Sequence, residues 1–121
     1  MPVIKGFETL KNLHEEKIAD KISRRVLSGE KEMIVWWSMK AGAHAAAHHH
    51  PNEQLFWVTR GKMDIRIGTD RRVCGPGDVG VIPAGTEHEA WFPEDCEVID
   101  VFAPRRDDFL TSEAPAYMRK G

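Results

Sequence analysis

Short runs in which apolar and polar residues alternate follow one another along most of the chain. In an extended strand, successive side chains point to opposite faces, so this alternation is typical of strands with one buried face. The predicted strands are Arg24–Leu27, Met33–Met39, Leu55–Arg60, Met63–Ile67, Arg72–Cys74, Val79–Ile82, His88–Phe92 and Val98–Phe102. Glycine or proline turns separate them. About eight short strands at regular spacing predict an all-β sandwich or barrel.

The first part of the chain has a different pattern. Within Leu10–Ile22, apolar residues recur at a weak helical spacing, which predicts a short N-terminal helical segment. No internal repeat, low-complexity tract or linker rich in proline, glycine and serine divides the sequence. We therefore expect residues 1–121 to form a single domain.

Composition and charge narrow the classes of function. The chain has 121 residues, of which 41% are hydrophobic and 30% are charged, as is typical of a globular domain. Its net charge of −2 provides no basic excess for binding nucleic acid or an anionic membrane. No segment approaches the roughly 20 apolar residues of a membrane span, and the N-terminus lacks a signal-peptide pattern. We expect a cytoplasmic protein whose two cysteines are reduced.

Histidines form the most informative pattern in the sequence. Four of the six lie within residues 42–54. In an extended segment, His48 and His50 point to the same side, and Gln54 keeps that parity beyond a turn. His88 follows a second, glycine-rich and proline-containing turn. Three neutral imidazoles and one amide oxygen suit Fe, Ni, Zn, Mn or Cu as divalent ions, so we expect one such transition metal on these four residues.

The spacing of these residues resembles the paired motifs of the cupin superfamily. Residues 42–61 fit the pattern of Gly, five residues, His-x-His, three residues, an acid or amide, six residues and Gly. Residues 77–88 fit the pattern of Gly, five residues, Pro-x-Gly, two residues and His. The resemblance covers about residues 33–102. It implies a single cupin domain, a jelly-roll barrel also described as a double-stranded β-helix, with a metal bound inside.

One position departs from the common cupin pattern. Most cupins that resemble this chain carry glutamate as the third ligand of the first motif, where this chain has Gln54. The adjacent Glu53 has the opposite parity, although a one-residue bulge would exchange the two. A neutral amide leaves the centre one charge unit more positive than a carboxylate does. This difference favours Lewis-acid chemistry over a high-valent oxygen intermediate.

A carboxylate is expected inside the barrel near the metal. Asp100 and Phe102 share one face of the last strand, and we expect that face to point inward. A buried carboxylate is costly unless it is paired or functional, which leaves two interpretations. Asp100 forms an ion pair with Arg60 or Arg106, or it is a general acid/base whose pKa is raised by burial. In the second case, Arg106 binds a substrate carboxylate through its two-pronged guanidinium.

A narrower resemblance is to the pectin-degradation cupins, small proteins that linearise the 4,5-unsaturated uronate monosaccharides released by lyases. It is carried by the runs 23–31, 48–54 and 100–110. In that family an aspartate, an aromatic residue and an arginine surround a metal on three histidines and a glutamine; they match Asp100, Phe102 and Arg106 here. The resemblance implies that Arg106 holds the substrate carboxylate and that Asp100 moves the proton for ring opening. Phe56 and Phe102 are the remaining expected substrate contacts.

Two other classes of function remain open. Trp36 and Trp37 lie on opposite faces of one strand, so one of them should line the cavity. A dry aromatic pocket would suit a diketone-type substrate of an Fe(II) dioxygenase or another small cupin oxidoreductase. The third possibility is a non-enzymatic metal-binding or metabolite-binding module. Outward aromatic residues such as Trp57 favour a homodimer, so the expected partners are a small carboxylated substrate and a second copy of the chain.

Overall fold

The protein is a sandwich of two antiparallel β-sheets. The computed structural model describes residues 3–111 and 114–118. The strands are β1 (Glu16–Ala19), β2 (Ile22–Ser28), β3 (Met33–Met39), β4 (His44–His48), β5 (Glu53–Arg60), β6 (Met63–Ile67), β7 (Asp70–Cys74), β8 (Val79–Ile82), β9 (His88–Trp91) and β10 (Cys96–Ala103). Short 3-10 turns lie outside the sheets at Leu10–Asn12, Asp107–Leu110 and Ala116–Met118.

The chain passes repeatedly from one sheet to the other. The larger sheet has the order β1-β2-β3-β10-β5-β8, and the smaller one has the order β4-β9-β6-β7. Strand β10 lies inside the larger sheet, where it pairs with both β3 and β5. This connectivity confirms the predicted all-β jelly-roll barrel.

The interior of the barrel follows the predicted alternation of side chains. Along β3, the residues Met33, Val35, Trp37 and Met39 are buried, while their neighbours face outward. Along β10, Val98, Asp100 and Phe102 point inward. Most of the interior is apolar, and the buried polar side chains His50, Gln54, His88, Asp100 and Arg106 are the exceptions that concern the site.

The N-terminal helical segment is shorter than the sequence predicts. Helical structure in this region is confined to the 3-10 turn Leu10–Asn12, and the extension to Ile22 is wrong. In β1, Glu16 and Ile18 are buried whereas Lys17 is exposed, which is the period of a strand. Pairing with β2 supplies backbone hydrogen bonds that the weak helical spacing could not outweigh.

The outer face of the larger sheet carries several exposed apolar side chains. Leu55 and Trp57 of β5 and Val79 and Val81 of β8 are about half exposed or more. In β3, Trp37 points into the barrel, whereas Trp36 lies on the outer face and is only partly buried, as the alternation predicts. Within the described residues, no helix has the length and apolarity needed to cross a bilayer.

Candidate metal centre

Three histidines converge at one end of the barrel. His48 ends β4, His88 begins β9, and the two residues are direct partners in the pairing of these strands. His50 lies in the loop before β5, where its carbonyl oxygen accepts a hydrogen bond of 2.8 Å from the amide of Gly85. One ring nitrogen of each histidine lies within 4.8 Å of the others. The two sequence motifs are thus linked by backbone contacts and form a single cluster that could hold a metal ion.

Backbone carbonyl groups orient all three imidazoles. The Nδ1 atom of His48 lies 2.7 Å from the carbonyl oxygen of Ala46, and that of His88 lies 2.9 Å from the oxygen of Thr86. The Nδ1 atom of His50 lies 3.0 Å from the carbonyl oxygen of Asn52. Because a carbonyl oxygen can only accept, each Nδ1 carries the hydrogen and each Nε2 keeps a lone pair. The Nε2 atom of His88 is buried without a hydrogen-bond partner among the described residues, as expected of a metal ligand.

The surroundings keep these rings neutral. Burial lowers the pKa of His48 to about 3, and the neighbouring histidines and Arg106 lower it further. Burial is also the largest cause of the lowered pKa of His50 and of His88. Neutral imidazoles are the form that binds transition metals, so the cluster is prepared for a cation rather than for protons.

Gln54 brings an amide oxygen to the same cluster. It is buried on the inner face of β5, and its Oε1 lies 3.1 Å from the Nε2 of His50. Glu53 is exposed on the opposite face of the strand. The strand has no bulge at this point, so the parity argument from the sequence places Gln54, and not Glu53, beside the histidines. Three imidazole nitrogens and one amide oxygen form a set that suits divalent transition metals.

Asp100 is a buried carboxyl group next to this ligand set. Burial raises its pKa to about 7, although hydrogen bonds from Gln54 and Trp37 and the charge of Arg106 oppose the shift. Its Oδ1 atom has no hydrogen-bond partner among the described residues. The predicted alternative, an ion pair of Asp100 with Arg60 or Arg106, is not found in the described part of the chain. Arg60 lies 3.9 Å from Glu97, and Arg106 pairs with Asp108 at 2.7 Å.

Arg106 is buried at the open end of the barrel. Its Nε and Nη2 atoms donate to the two carboxylate oxygens of Asp108 at 3.0 and 2.7 Å. Nη2 also donates to the hydroxyl oxygen of Tyr117 at 3.3 Å. The guanidinium carbon lies 5.2 Å from the centre of the Phe102 ring and 4.1 Å from that of Phe109. Two of the three guanidinium nitrogens, Nε and Nη2, are therefore engaged within the chain.

A loop contact holds Arg106 close to the histidines. The side-chain amide of Asn52 donates to the carbonyl oxygens of Pro104 and Arg105 at 2.6 and 3.2 Å. Asn52 also supplies the carbonyl that orients His50. The turn between the first-motif histidines and Gln54 thus positions both the imidazole and the segment that carries Arg106.

A small cavity joins these groups. Its volume is about 50 Å³, and its walls include His48, His88, Gln54, Asp100 and Arg106. The predicted substrate contacts Phe56 and Phe102 also line it, together with further apolar side chains. Phe102 meets the His50 ring edge to face at 5.6 Å. Phe56 packs against Gly80, where a Cβ atom would approach its ring to 2.3 Å. The structure therefore brings together the residues that the sequence assigned to metal, substrate and proton transfer.

Sequence reasoning missed Tyr117. This residue lies in the C-terminal turn Ala116–Met118, and its ring stacks on His48 at 3.5 Å with an angle of 5° between the planes. The C-terminal region has no periodicity that would place it. The one signal in the sequence was its rarity: Tyr117 is the single tyrosine of the chain.

Comparisons with known proteins agree with the observed fold. Residues 35–102 match the family described as Cupin domain. The pectin degradation protein KdgF of Dickeya dadantii is 29% identical over 98 residues, which cover 78% of this chain and 89% of that protein.

Two solved structures extend the comparison to three dimensions. An RmlC-like cupin from Shewanella frigidimarina superposes with a TM-score of 0.85 at 26% identity, covering 90% of this chain and 99% of that one. KdgF from Halomonas sp. superposes with a TM-score of 0.81 at 29% identity, covering 88% of this chain and 99% of that one. The matched family, the jelly-roll connectivity and the three-histidine cluster lead to one conclusion: this chain belongs to the cupin family.

Proposed function

We propose that this protein binds one divalent transition metal through His48, His50, Gln54 and His88 and opens the ring of a 4,5-unsaturated uronate or a similar carboxylated sugar. The observation that carries the proposal is the buried Asp100 carboxyl, which adjoins the amide of Gln54 and has an unpartnered Oδ1. The similarity to the pectin degradation protein KdgF of Dickeya dadantii and to KdgF from Halomonas sp. supports an acidic sugar as the substrate.

The reaction is an isomerisation that needs one proton to be moved. The bond between the ring oxygen and the hemiacetal carbon breaks, and the hemiacetal hydroxyl gives up its proton as it becomes an aldehyde. The ring oxygen becomes a ketone, and the former double bond takes up a proton at its far carbon. No atom is gained or lost overall. When bound, the metal supplies a Lewis acid that polarises sugar oxygens.

Asp100 is suited to carry that proton. A carboxyl whose pKa is about 7 holds and releases a proton with similar ease near neutral pH. Its Oδ1 lies buried, with no other group among the described residues to bind it. Gln54 and Trp37 hold the carboxyl group in place through hydrogen bonds.

Arg106 and the aromatic walls account for substrate binding. Arg106 has a guanidinium nitrogen, Nη1, beyond the two atoms that Asp108 engages, and this nitrogen is available to a substrate carboxylate. Phe56 and Phe102 form apolar walls that exclude water from the reacting atoms.

The test is a spectroscopic assay on the metal-loaded protein. Ring opening removes the conjugated double bond of the unsaturated uronate, so its ultraviolet absorbance should fall faster than in buffer. We expect Asp100→Asn to lower kcat by about 10²–10⁴-fold. Asp70→Asn, which alters an exposed carboxylate 3.4 Å from Arg72, is the matched control and should keep the wild-type rate. An absence of turnover by the loaded wild-type protein would contradict the proposal.

A second candidate is a small cupin dioxygenase that cleaves a diketone with Fe(II). The apolar character of the cavity, with Trp37, Phe56 and Phe102 in its wall, favours this candidate. Oxygen consumption by the Fe(II)-loaded protein with a diketone, and without loss of uronate absorbance, would support it. Tight binding of a metabolite with no turnover in either assay would support the third hypothesis, a non-enzymatic binding module.

A further inference from the structure

The C-terminal turn lies over the candidate metal centre. Tyr117 and Met118 belong to the wall of the cavity that contains the histidines. The turn is closed by a hydrogen bond of 3.0 Å from the amide of Met118 to the carbonyl oxygen of Pro115. Met118 is buried, so this segment packs on the barrel rather than extending from it.

Tyr117 occupies a place between two groups of the proposed site. Its ring covers one face of the His48 imidazole at 3.5 Å, in a parallel stack. Its hydroxyl oxygen accepts a hydrogen bond from the Nη2 of Arg106 at 3.3 Å. A flat ring with an oxygen bound to Arg106 thus already lies between the imidazole proposed to bind the metal and the guanidinium proposed to bind the substrate carboxylate.

The space left beside Tyr117 is small. The cavity of about 50 Å³ has room for only a few water molecules. Pockets for small organic ligands usually measure about 300 Å³ or more. A ligand of two or three atoms therefore fits in front of the histidines, whereas a monosaccharide does not while Tyr117 keeps its contacts.

We propose that Tyr117 is a specificity-determining residue that limits the size of ligand able to reach the metal centre and that a sugar-sized ligand must displace. The inference rests on the proposed function only in taking this cavity as the ligand site. It requires no turnover. The selection is steric because the ring fills space beside His48. The hydroxyl holds the ring there through the Nη2 of Arg106 and leaves Nη1 to a ligand.

The test compares two ligands on the cobalt(II)-loaded protein. Azide is a small anion that fits beside Tyr117, and D-galacturonate is a saturated uronate that does not; visible absorption of the cobalt reports both. We expect Tyr117→Ala to tighten galacturonate binding at least ~10-fold and to change azide binding by less than ~2-fold. Tyr117→Phe retains the ring and should retain the wild-type preference for azide. Ala116→Ser, an exposed position on the same turn, is the control.

A second readout does not depend on the metal. Since Tyr117 is the single tyrosine, 3-fluorotyrosine labelling gives one fluorine resonance, which reports its environment in the metal-free protein. We expect the fluorine chemical shift to be that of a buried ring, and to move toward the solvent-exposed value as galacturonate is added. Galacturonate affinity that is unchanged or weaker in Tyr117→Ala would overturn the proposal. So would a resonance that is solvent-exposed from the start. Both results are independent of whether an unsaturated uronate is ever turned over.

Discussion

The Nε2 atom of His50 lies 3.1 Å from the Oε1 atom of Gln54. Neither atom carries a hydrogen when the neutral His50 ring has its hydrogen on Nδ1, which faces the carbonyl oxygen of Asn52. The Nδ1 hydrogen of His50 is donated to the carbonyl of Asn52, and the amide nitrogen of Gln54 donates to Asp100. Two lone pairs that face each other repel unless a cation lies between them. Two ligands about 2.1 Å from one metal and at right angles are separated by about 3 Å, so this spacing fits a shared ion.

The first prediction concerns which residue of the Glu53-Gln54 pair binds the metal. We expect Gln54→Ala to weaken metal affinity by at least ~10-fold, because it removes an oxygen from the ligand set. Glu53→Ala should leave the affinity unchanged, since this side chain is exposed on the other face of β5. Metal titration followed by elemental analysis measures both variants. Full metal content in Gln54→Ala would refute the assignment.

The second prediction is a pH dependence of stability in the metal-free protein. Burial raises the pKa of Asp100 from 3.8 to about 7, so between these values the folded chain keeps a proton that the unfolded chain has released. The contribution of Asp100 to stability therefore falls as the pH rises from about 4 to about 7. Asp100→Asn should remove this fall and be more stable than the wild type at about pH 8. Urea unfolding at several pH values tests this. A wild type that exceeds the variant in stability at high pH would contradict it.

The third prediction concerns a buried ion pair outside the proposed metal ligands. Arg24 and Glu16 are joined at 3.2 Å with their side chains almost fully buried, and Arg24 also donates to the carbonyl of Thr111 at 3.0 Å. Glu16→Ala leaves the guanidinium buried without its counter-charge, so we expect a loss of about 3–5 kcal/mol in the free energy of unfolding. Glu97→Ala breaks the exposed pair with Arg60 and should cost less than about 1 kcal/mol. Equal losses in the free energy of unfolding for Glu16→Ala and Glu97→Ala, measured by chemical denaturation, would contradict the prediction.

The fourth prediction is a homodimer through the outer face of the larger sheet. Trp57 is 50% exposed and Val79 is 70% exposed on adjacent strands of that face. Large exposed apolar patches mark interfaces, and we expect light scattering to give twice the chain mass of 13.7 kDa. Trp57→Glu should reduce the mass to that of one chain. Val73→Glu, at an exposed position of the smaller sheet, should not. A wild-type protein at the single-chain mass would contradict the prediction.

Much of the fold could be predicted because the inner faces of the strands follow a strict period of two. The alternation along β3, β5 and β10 correctly separates inward from outward side chains, including Trp37 from Trp36 and Gln54 from Glu53. The same parity placed Asp100 inside the barrel. The spacing of the two histidine motifs predicted the cluster, because it requires the segment that ends at His88 to lie beside the segment with His48 and His50.

The parts that could not be predicted depend on contacts between distant segments. β1 is a strand because it pairs with β2 and because its buried Glu16 meets Arg24, and neither partner is evident from local spacing. Tyr117 is held by His48 and Arg106, which lie on other elements of the fold. The ion pair between Arg106 and Asp108 could not be predicted either. The chain has many carboxylates, and the sequence does not show which of them lies next to Arg106.

The proposed ligands belong to different layers of the sandwich. His48 and His88 lie in the smaller sheet, whereas Gln54 lies in the larger one. An ion held by all three would act as a cross-link between the layers, in addition to any chemistry it supports. At 100 times its Kd, such an ion would stabilise the folded chain by about 2.7 kcal/mol. Chelation should then accelerate amide hydrogen exchange in β4 and β9 before it affects the far end of the barrel, so that loss of the ion is felt first as a loosening of the two layers.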